Sequence, residues 1–356
     1  MKIVHVVGAR PNFMKVAPVM AALQAKAGVS QKLIHTGQHY DDNMSAIFFT
    51  QLGIPKPDIN LEVGSGSHAQ QTAQIISRFE KVVLEQRPDL VLVYGDVNST
   101  VAAALVCSKL LVPVGHVEAG LRSFDRTMPE EINRLLTDQV ADILFTPSED
   151  GTANLLKENV ARDKIHMVGN VMIDTLVRLL PDAKDAVKPD VVDGQDPYAL
   201  VTLHRPSNVD TAENLTGIMA TLEKLSGDLI VVFPIHPRTH SRLRQWGLHP
   251  RSKRLHLIDP LGYLEFLALQ RDARLVITDS GGVQEETTFL GVPCLTVREN
   301  TERPVTVELG TNILVGQDMV KLRQEANRVI SGKHKPGRIP PLWDGNSGQR
   351  IADTIA

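Results

Sequence analysis

Cysteine is nearly absent: Cys107 and Cys294 are the two in 356 residues, each inside an apolar run. That excludes a disulfide framework and leaves two buried thiols suited to a reducing cytoplasm. No apolar run reaches the roughly 18 residues of a membrane span. Residues 1–7 are too short and too strand-like for a secretion signal. The expectation is a cytoplasmic protein with no membrane partner. Charge of one sign is also lacking. The formal net charge is -3, which argues against nucleic acid as a partner. A dinucleotide fingerprint is missing, because Gly64 and Gly66 precede a helix with no strand leading into them. His236 with His240, and His35 with His39, are spaced four apart. Prolines, loop context and the lack of a third ligand argue against zinc. No metal and no cofactor is assigned.

What is present is a chain with 42% hydrophobic and 22% charged residues, ordinary for a globular protein and long enough for two domains. Apolar runs at 2–7, 31–35, 90–94, 112–117, 143–146 and 165–168 read as strands, with helical spacing between them. A second series has strands at 198–202, 229–233, 255–258, 275–278 and 294–297. Strands alternating with helices predict an α/β fold of two doubly wound parallel-sheet, Rossmann-like domains. The domains are expected at 1–169, joined by a tail helix at 346–356, and at 170–345. The Pro-, Asp- and Gly-rich stretch 181–197 reads as a connection. Pro18 falls inside the first helix and should kink it or delay its start. Asn98 or Ser99 should cap the helix that runs to residue 111.

The stretch 275–291 organises the chain. Its strand enters a helix through Asp279-Ser280-Gly281-Gly282, and Gly291 is placed to end that helix. Free backbone N–H groups at such a helix start, aided by the helix dipole, suit a phosphate or diphosphate. Glu286, one turn in, can accept hydrogen bonds from sugar hydroxyls. Arg10 and Lys15 flank a first glycine turn and are candidate phosphate clamps. Asp96 and Glu118 each follow the end of a parallel strand, the sheet edge where ligands sit. Singly, each suits a turn. Together, with Glu130 and Glu131 opening a helix, they point to acid/base chemistry. His204 follows directly on a strand.

Taken in order, these motifs resemble the UDP-N-acetylglucosamine 2-epimerases, and most closely the non-hydrolysing enzymes. The resemblance lies in Gly8-Ala9-Arg10-Pro11-Asn12-Phe13-Met14-Lys15, Thr36-Gly37-Gln38-His39 and Tyr94-Gly95-Asp96. It continues in His116-Val117-Glu118-Ala119-Gly120-Leu121-Arg122, Pro129-Glu130-Glu131-Ile132-Asn133-Arg134 and Pro234-Ile235-His236-Pro237-Arg238. Residues 279–286 and Thr301-Glu302-Arg303-Pro304 complete it. The resemblance implies a GT-B architecture with a UDP-sugar in the interdomain cleft, a homodimer and a role in polysaccharide biosynthesis. It implies that UDP leaves C1 as the C2 proton is removed, giving 2-acetamidoglucal, and then adds back. Residue by residue, Arg10 and Lys15 match positions facing phosphates and sugar. Asp96, Glu118 and Glu130 match acid/base carboxylates, with Glu131 beside them. His204 matches a histidine near the diphosphate. Ser280, Gly281 and Gly282 match the diphosphate loop, Glu286 the ribose contact, Phe266 an aromatic beside uracil, and Arg303 a further cation. Ser207 stands where many relatives carry glutamate, and Tyr40-Asp41-Asp42-Asn43 replaces a stretch that lines an activating site in bacterial relatives. Activation by substrate is therefore not expected. A hydrolysing epimerase, an epimerase of another UDP-sugar, a glycosyltransferase and a sensor without turnover are the alternatives; the carboxylate set disfavours the last two.

Overall fold

The structure is a computed structural model that describes residues 1–37, 52–192 and 196–356, the side chain of Arg10 excepted. Gln38, His39 and 40–43 lie outside the described residues. The chain divides into two compact units, Met1–Leu176 with Pro341–Ala356, and Val177–Pro340.

The first unit holds β1 (Lys2–Val7), β2 (Ser30–His35), β3 (Ile59–Asn60), β4 (Leu90–Tyr94), β5 (Val114–Val117), β6 (Ile143–Thr146) and β7 (Ile165–Met167). They form one sheet in the order β3-β2-β1-β4-β5-β6-β7, and every pairing is parallel. The second holds β8 (Tyr198–Thr202), β9 (Ile230–Pro234), β10 (Leu255–Ile258), β11 (Leu275–Thr278), β12 (Cys294–Thr296) and β13 (Asn312–Leu314). Its order is β10-β9-β8-β11-β12-β13, again parallel throughout. Both are doubly wound α/β sheets, the pair of folds from which GT-B proteins are built. Helices cover both faces, so central strands such as Leu90–Tyr94 are buried along their whole length. That explains their unbroken apolar sequence. In each sheet the strand order reverses once, between β1 and β4 and between β8 and β11. At such a reversal a crevice opens beyond the carboxyl ends of the strands. β3 and β13 were not expected; at two and three residues they are too short to show periodicity.

The first helix, Arg10–Gln24, continues without interruption past Pro18. Proline offers no N–H to the carbonyl four residues back, that of Met14. The hydroxyl of Thr175 donates to this oxygen at 2.6 Å, so the lost backbone bond is replaced. The helix Ser347–Ile355 packs on Arg10–Gln24. Its first N–H groups, from Ser347 and Gly348, donate to the Asp174 carboxylate at 3.1 and 2.7 Å. A side chain at Gly348 would meet the Pro18 carbonyl at 2.7 Å. Residues 181–192, whose composition reads as a connection, carry two short 3-10 turns and bury Ala183 and Val192 in the second unit. Proline and aspartate there mark turns, and turns dock as readily as they link.

Candidate active site

In the first unit the turn after β1 is held from within. Asn12 Oδ1 accepts from the N–H groups of Gly8 and Ala9 at 3.1 and 3.0 Å. Its Nδ2 donates to the carbonyl of Tyr94 at 2.8 Å, tying the turn to the end of β4. Gly8 is required here, since a Cβ would lie 1.9 Å from Ser99 Oγ. One helical turn on, the Lys15 ammonium pairs with the Glu118 carboxylate, both nearly buried. Glu118 adopts φ 76°, a left-handed conformation that costs a non-glycine residue about 1 kcal/mol. Such strain persists where surrounding structure imposes it, most often at functional sites. A Cβ on Gly95 would lie 2.7 Å from Lys15 Nζ and 3.2 Å from Glu118 Oε2. The pair therefore lies directly against the residue before Asp96.

Asp96 Oδ2 accepts from Arg134 Nη1 at 2.7 Å. Asn133 Nδ2 donates to the Asp96 carbonyl at 2.9 Å. Asp96 and Glu130 line one cavity of about 350 Å³ together with His68, Gln71, Asn98 and Asn133. The amides there are already bonded to one another: Asn98 Nδ2 donates to Gln71 Oε1 at 2.9 Å. Asn98 is thus a pocket residue and not the expected helix cap, a position taken by Val97 without a side-chain bond. Glu131 is engaged differently from Glu130. Its carboxylate accepts from the N–H groups of Ser123 and Phe124, both at 2.9 Å, and from the Ser123 hydroxyl at 3.0 Å. Arg134 Nη2 adds an ion pair at 3.1 Å.

Behind these groups lies a buried ion network. His116 Nε2 is 2.8 Å from the Gly95 carbonyl, which can only accept, so this nitrogen donates. His116 Nδ1 is 2.6 Å from Asp138 Oδ1. Arg122 reaches Asp138 at 2.7 Å and clasps Glu158 in a bidentate pair. Burial acts to raise the Asp138 pKa, but His116 and Arg122 outweigh it and hold the carboxylate below its usual range.

The second unit offers a different chemistry. Asp279, at the end of β11, is fully buried. Its carboxylate accepts from the N–H groups of His204 and Arg205 and from Asn208 Nδ2, at 3.0, 2.9 and 2.9 Å. The His204 Nδ1 lies 3.0 Å away. Burial raises the Asp279 pKa, yet the His204 pairing and these bonds outweigh it and keep the group ionised below its ordinary value. The His204 ring is therefore fixed through Nδ1. Its side chain is 53% exposed, leaving Nε2 to act outward. Ser280 is the N-cap of the helix Gly281–Leu290, and no side chain caps the N–H groups at its start. The helix ends at Gly291 with φ 73°, as the sequence predicts. Tyr263 donates to Glu286 Oε1 at 2.9 Å. Arg303 Nε lies 2.7 Å from Glu285, and its Nη1 pairs with Glu302. A Cβ on Gly281 would lie 2.6 Å from Arg303 Nη1, so this cation packs against the helix start. Phe266 sits half-buried on the helix Tyr263–Asp272.

The fold thus gathers Lys15, Asp96, Glu118 and Glu130 at the carboxyl edge of one sheet. It gathers His204, Ser280, Gly281, Gly282 and Arg303 at the same edge of the other, with Glu286 one turn into the helix that follows. Arg10 opens the first helix. Sequence reasoning gave no role to Arg134, Asn12, Asp279 or Tyr263. Arg134 could have been found, since it stands three and four residues beyond two glutamates on one helix, the spacing of an ion pair. Among the described residues, no group of three or more His, Cys, Asp or Glu side chains is placed to hold a metal ion. No helix among them is long and apolar enough to cross a membrane.

A family model described as UDP-N-acetylglucosamine 2-epimerase matches residues 21–356. The chain belongs to that family. The UDP-N-acetylglucosamine 2-epimerase of Methanocaldococcus jannaschii is 45% identical over 361 residues, covering 99% of this chain and 98% of its own. A crystal structure of the M. jannaschii enzyme in complex with UDP-GlcNAc and UDP has a TM-score of 0.90 and 44% identity, covering 100% of this chain and 99% of that one. The UDP-2,3-diacetamido-2,3-dideoxy-D-glucuronate 2-epimerase of Pseudomonas aeruginosa is also 45% identical, covering 100% of this chain and 99% of its own. Family membership is therefore secure across both units, while two UDP-sugars occur among relatives of equal identity.

Proposed function

We propose that this chain is a non-hydrolysing epimerase that interconverts UDP-N-acetylglucosamine and UDP-N-acetylmannosamine. The C2–H of the sugar is a poor acid, so departure of UDP from C1 must run ahead of proton loss or alongside it. Charge then develops on the leaving diphosphate, and preorganised donors stabilise it. The uncapped N–H groups at Gly281 and Gly282, the dipole of their helix and the tethered His204 have that character. A carboxylate must take the C2 proton, and another group must return one to the opposite face. Asp96, Glu118 and Glu130 are the candidates, with Lys15 compensating charge beside Glu118. The intermediate is the enol ether 2-acetamidoglucal. Re-addition of UDP, with protonation at C2, completes the exchange.

The observation that carries this reading is the division of groups between the two sheets. Carboxylates stand at the switch point of one and an anion cradle at the switch point of the other, and a UDP-sugar elimination needs both a base and a stabilised leaving group. Family resemblance is what supports a homodimer working in the cytoplasm. A second reading has specific support, because the P. aeruginosa relative acts, by its name, on a diacetamido uronic acid.

Incubation of UDP-N-acetylglucosamine in heavy water, followed by NMR, tests both. Deuterium at C2 in two interconverting UDP-sugars is the expected result. Free sugar and UDP would mean hydrolysis. An inert UDP-N-acetylglucosamine, with deuterium entering the diacetamido uronate, would move the assignment to the second reading.

A further inference from the structure

Glu285 and Glu286 are adjacent, both buried, and treated oppositely. Glu285 is paired with the Arg303 guanidinium at 2.7 Å. Glu286, 3% exposed, is met by a neutral donor, the phenol of Tyr263, at 2.9 Å. A cation would quench the charge and occupy both oxygens. A phenol fills one lone-pair site of Oε1 and leaves the carboxylate able to accept more bonds. Tyr263, Phe266 and Gln270 recur at i, i+3 and i+7 on the helix Tyr263–Asp272, so they share a face. Gln270 is fully buried, and neither of its amide atoms completes a well-formed hydrogen bond, although it lies near enough to help hold the Glu286 charge.

We propose that Tyr263 is a positioning residue that orients the Glu286 carboxylate toward the ribose hydroxyls of the substrate. The proposal rests on the reading of Glu286 as the nucleoside contact and adds the group that controls it. Burial raises Glu286, the Tyr263 hydrogen bond and the nearby Gln270 amide pull it down, and the Glu285 charge adds a little upward, leaving it at about 7. Among the other charged or titratable groups of the elements packed on this helix, Arg303 pairs with Glu285 and Glu302, Arg298 pairs with Glu302 as well, Glu265, Arg271 and Asp272 share the helix of Tyr263, Glu308 ends the helix Pro304–Glu308, and burial pushes the Cys294 thiol up to about 12. Without the phenol, Glu286 would titrate higher.

The experiment is titration calorimetry with UDP-N-acetylglucosamine, a diphosphate diester with no group of its own titrating from about pH 5.5 to 9. Wild-type affinity is expected to fall as pH drops through about 7. In Tyr263→Phe the fall should begin about one pH unit higher, weakening binding about fivefold at pH 7 and hardly at pH 9. The turnover number at saturation should stay unchanged while KM rises. A Tyr263→Phe profile that superimposes on wild type, or lies below it equally at every pH, would overturn the proposal. Glu286→Gln separates the two levels. If it weakens binding and abolishes the step, the nucleoside contact stands and Tyr263 is judged on its own profile. If it binds as wild type does, the nucleoside contact itself is wrong, and the proposal falls with it.

Discussion

The Arg134 guanidinium spans two carboxylates, Asp96 at 2.7 Å and Glu131 at 3.1 Å. One of them lines the cavity and the other holds a loop, so the same cation joins chemistry to scaffold. Asp96→Asn keeps the size and one hydrogen-bond acceptor but loses the base. It is expected to abolish turnover while UDP affinity stays within severalfold. Arg134→Met leaves Glu131 buried without its cation. Removing one partner of a buried pair costs about 3–5 kcal/mol. Guanidinium unfolding should show that loss for Arg134→Met and almost none for Asp96→Asn. Equal stability of the two variants would refute the division.

Glu130 and Glu131 are neighbours in sequence with separable duties. Glu131→Gln gives up an anionic acceptor for the N–H groups of Ser123 and Phe124, costing about 1–3 kcal/mol. Glu130→Gln, at the cavity wall, should leave the melting curve unchanged and lower the turnover number by about 100-fold or more. Isotope exchange at C2 reads the second effect directly. If Glu131→Gln melted normally and lost only exchange, Glu131 would belong to the proton-transfer set.

His5, on β1, makes a pH-dependent contribution to stability. It is fully buried between Tyr94 Oη at 2.7 Å and Gln31 Oε1 at 2.9 Å. Burial lowers its pKa from 6.5 to about 4, partly offset by the Gln31 bond. The unfolded chain therefore binds the proton more readily than the folded one. The contribution is complete above about pH 6.5 and is lost as pH falls toward 4, amounting to about 3 kcal/mol. Urea unfolding of wild type and His5→Asn from about pH 4 to 7.5 should show a steeper rise for wild type. Parallel curves would exclude His5 as the source.

Much of this was readable before any coordinates. Apolar runs gave eleven of the strands because both faces of a parallel sheet are buried, and a carboxylate just after such a run announces the ligand edge. Gly291 ends its helix because glycine takes positive φ without penalty. What stayed hidden depends on partners distant in sequence. Pro18 promised a kink or a late start, yet the helix begins at Arg10, and the Met14 carbonyl that proline leaves without an N–H is met by Thr175, far along the chain. Glu131 looked like Glu130, and the bonds its carboxylate accepts from Ser123 and Phe124 tell the two apart only in the fold. Arg303 read as a ligand cation, and its pairing with Glu285 and Glu302, which fixes it beside Gly281, could not be read from spacing. Asn98 had the chemistry of a cap and was drawn instead into the amides around the cavity.

The helix Ser347–Ile355 has a consequence for biosynthesis. The ribosome must emit all of Val177–Pro340 before this helix can settle on Arg10–Gln24. Vectorial folding ordinarily favours whichever part emerges first. Here the earlier-made unit waits, one flank bare, while the intervening one can already mature, so the order of completion runs opposite to the order of synthesis.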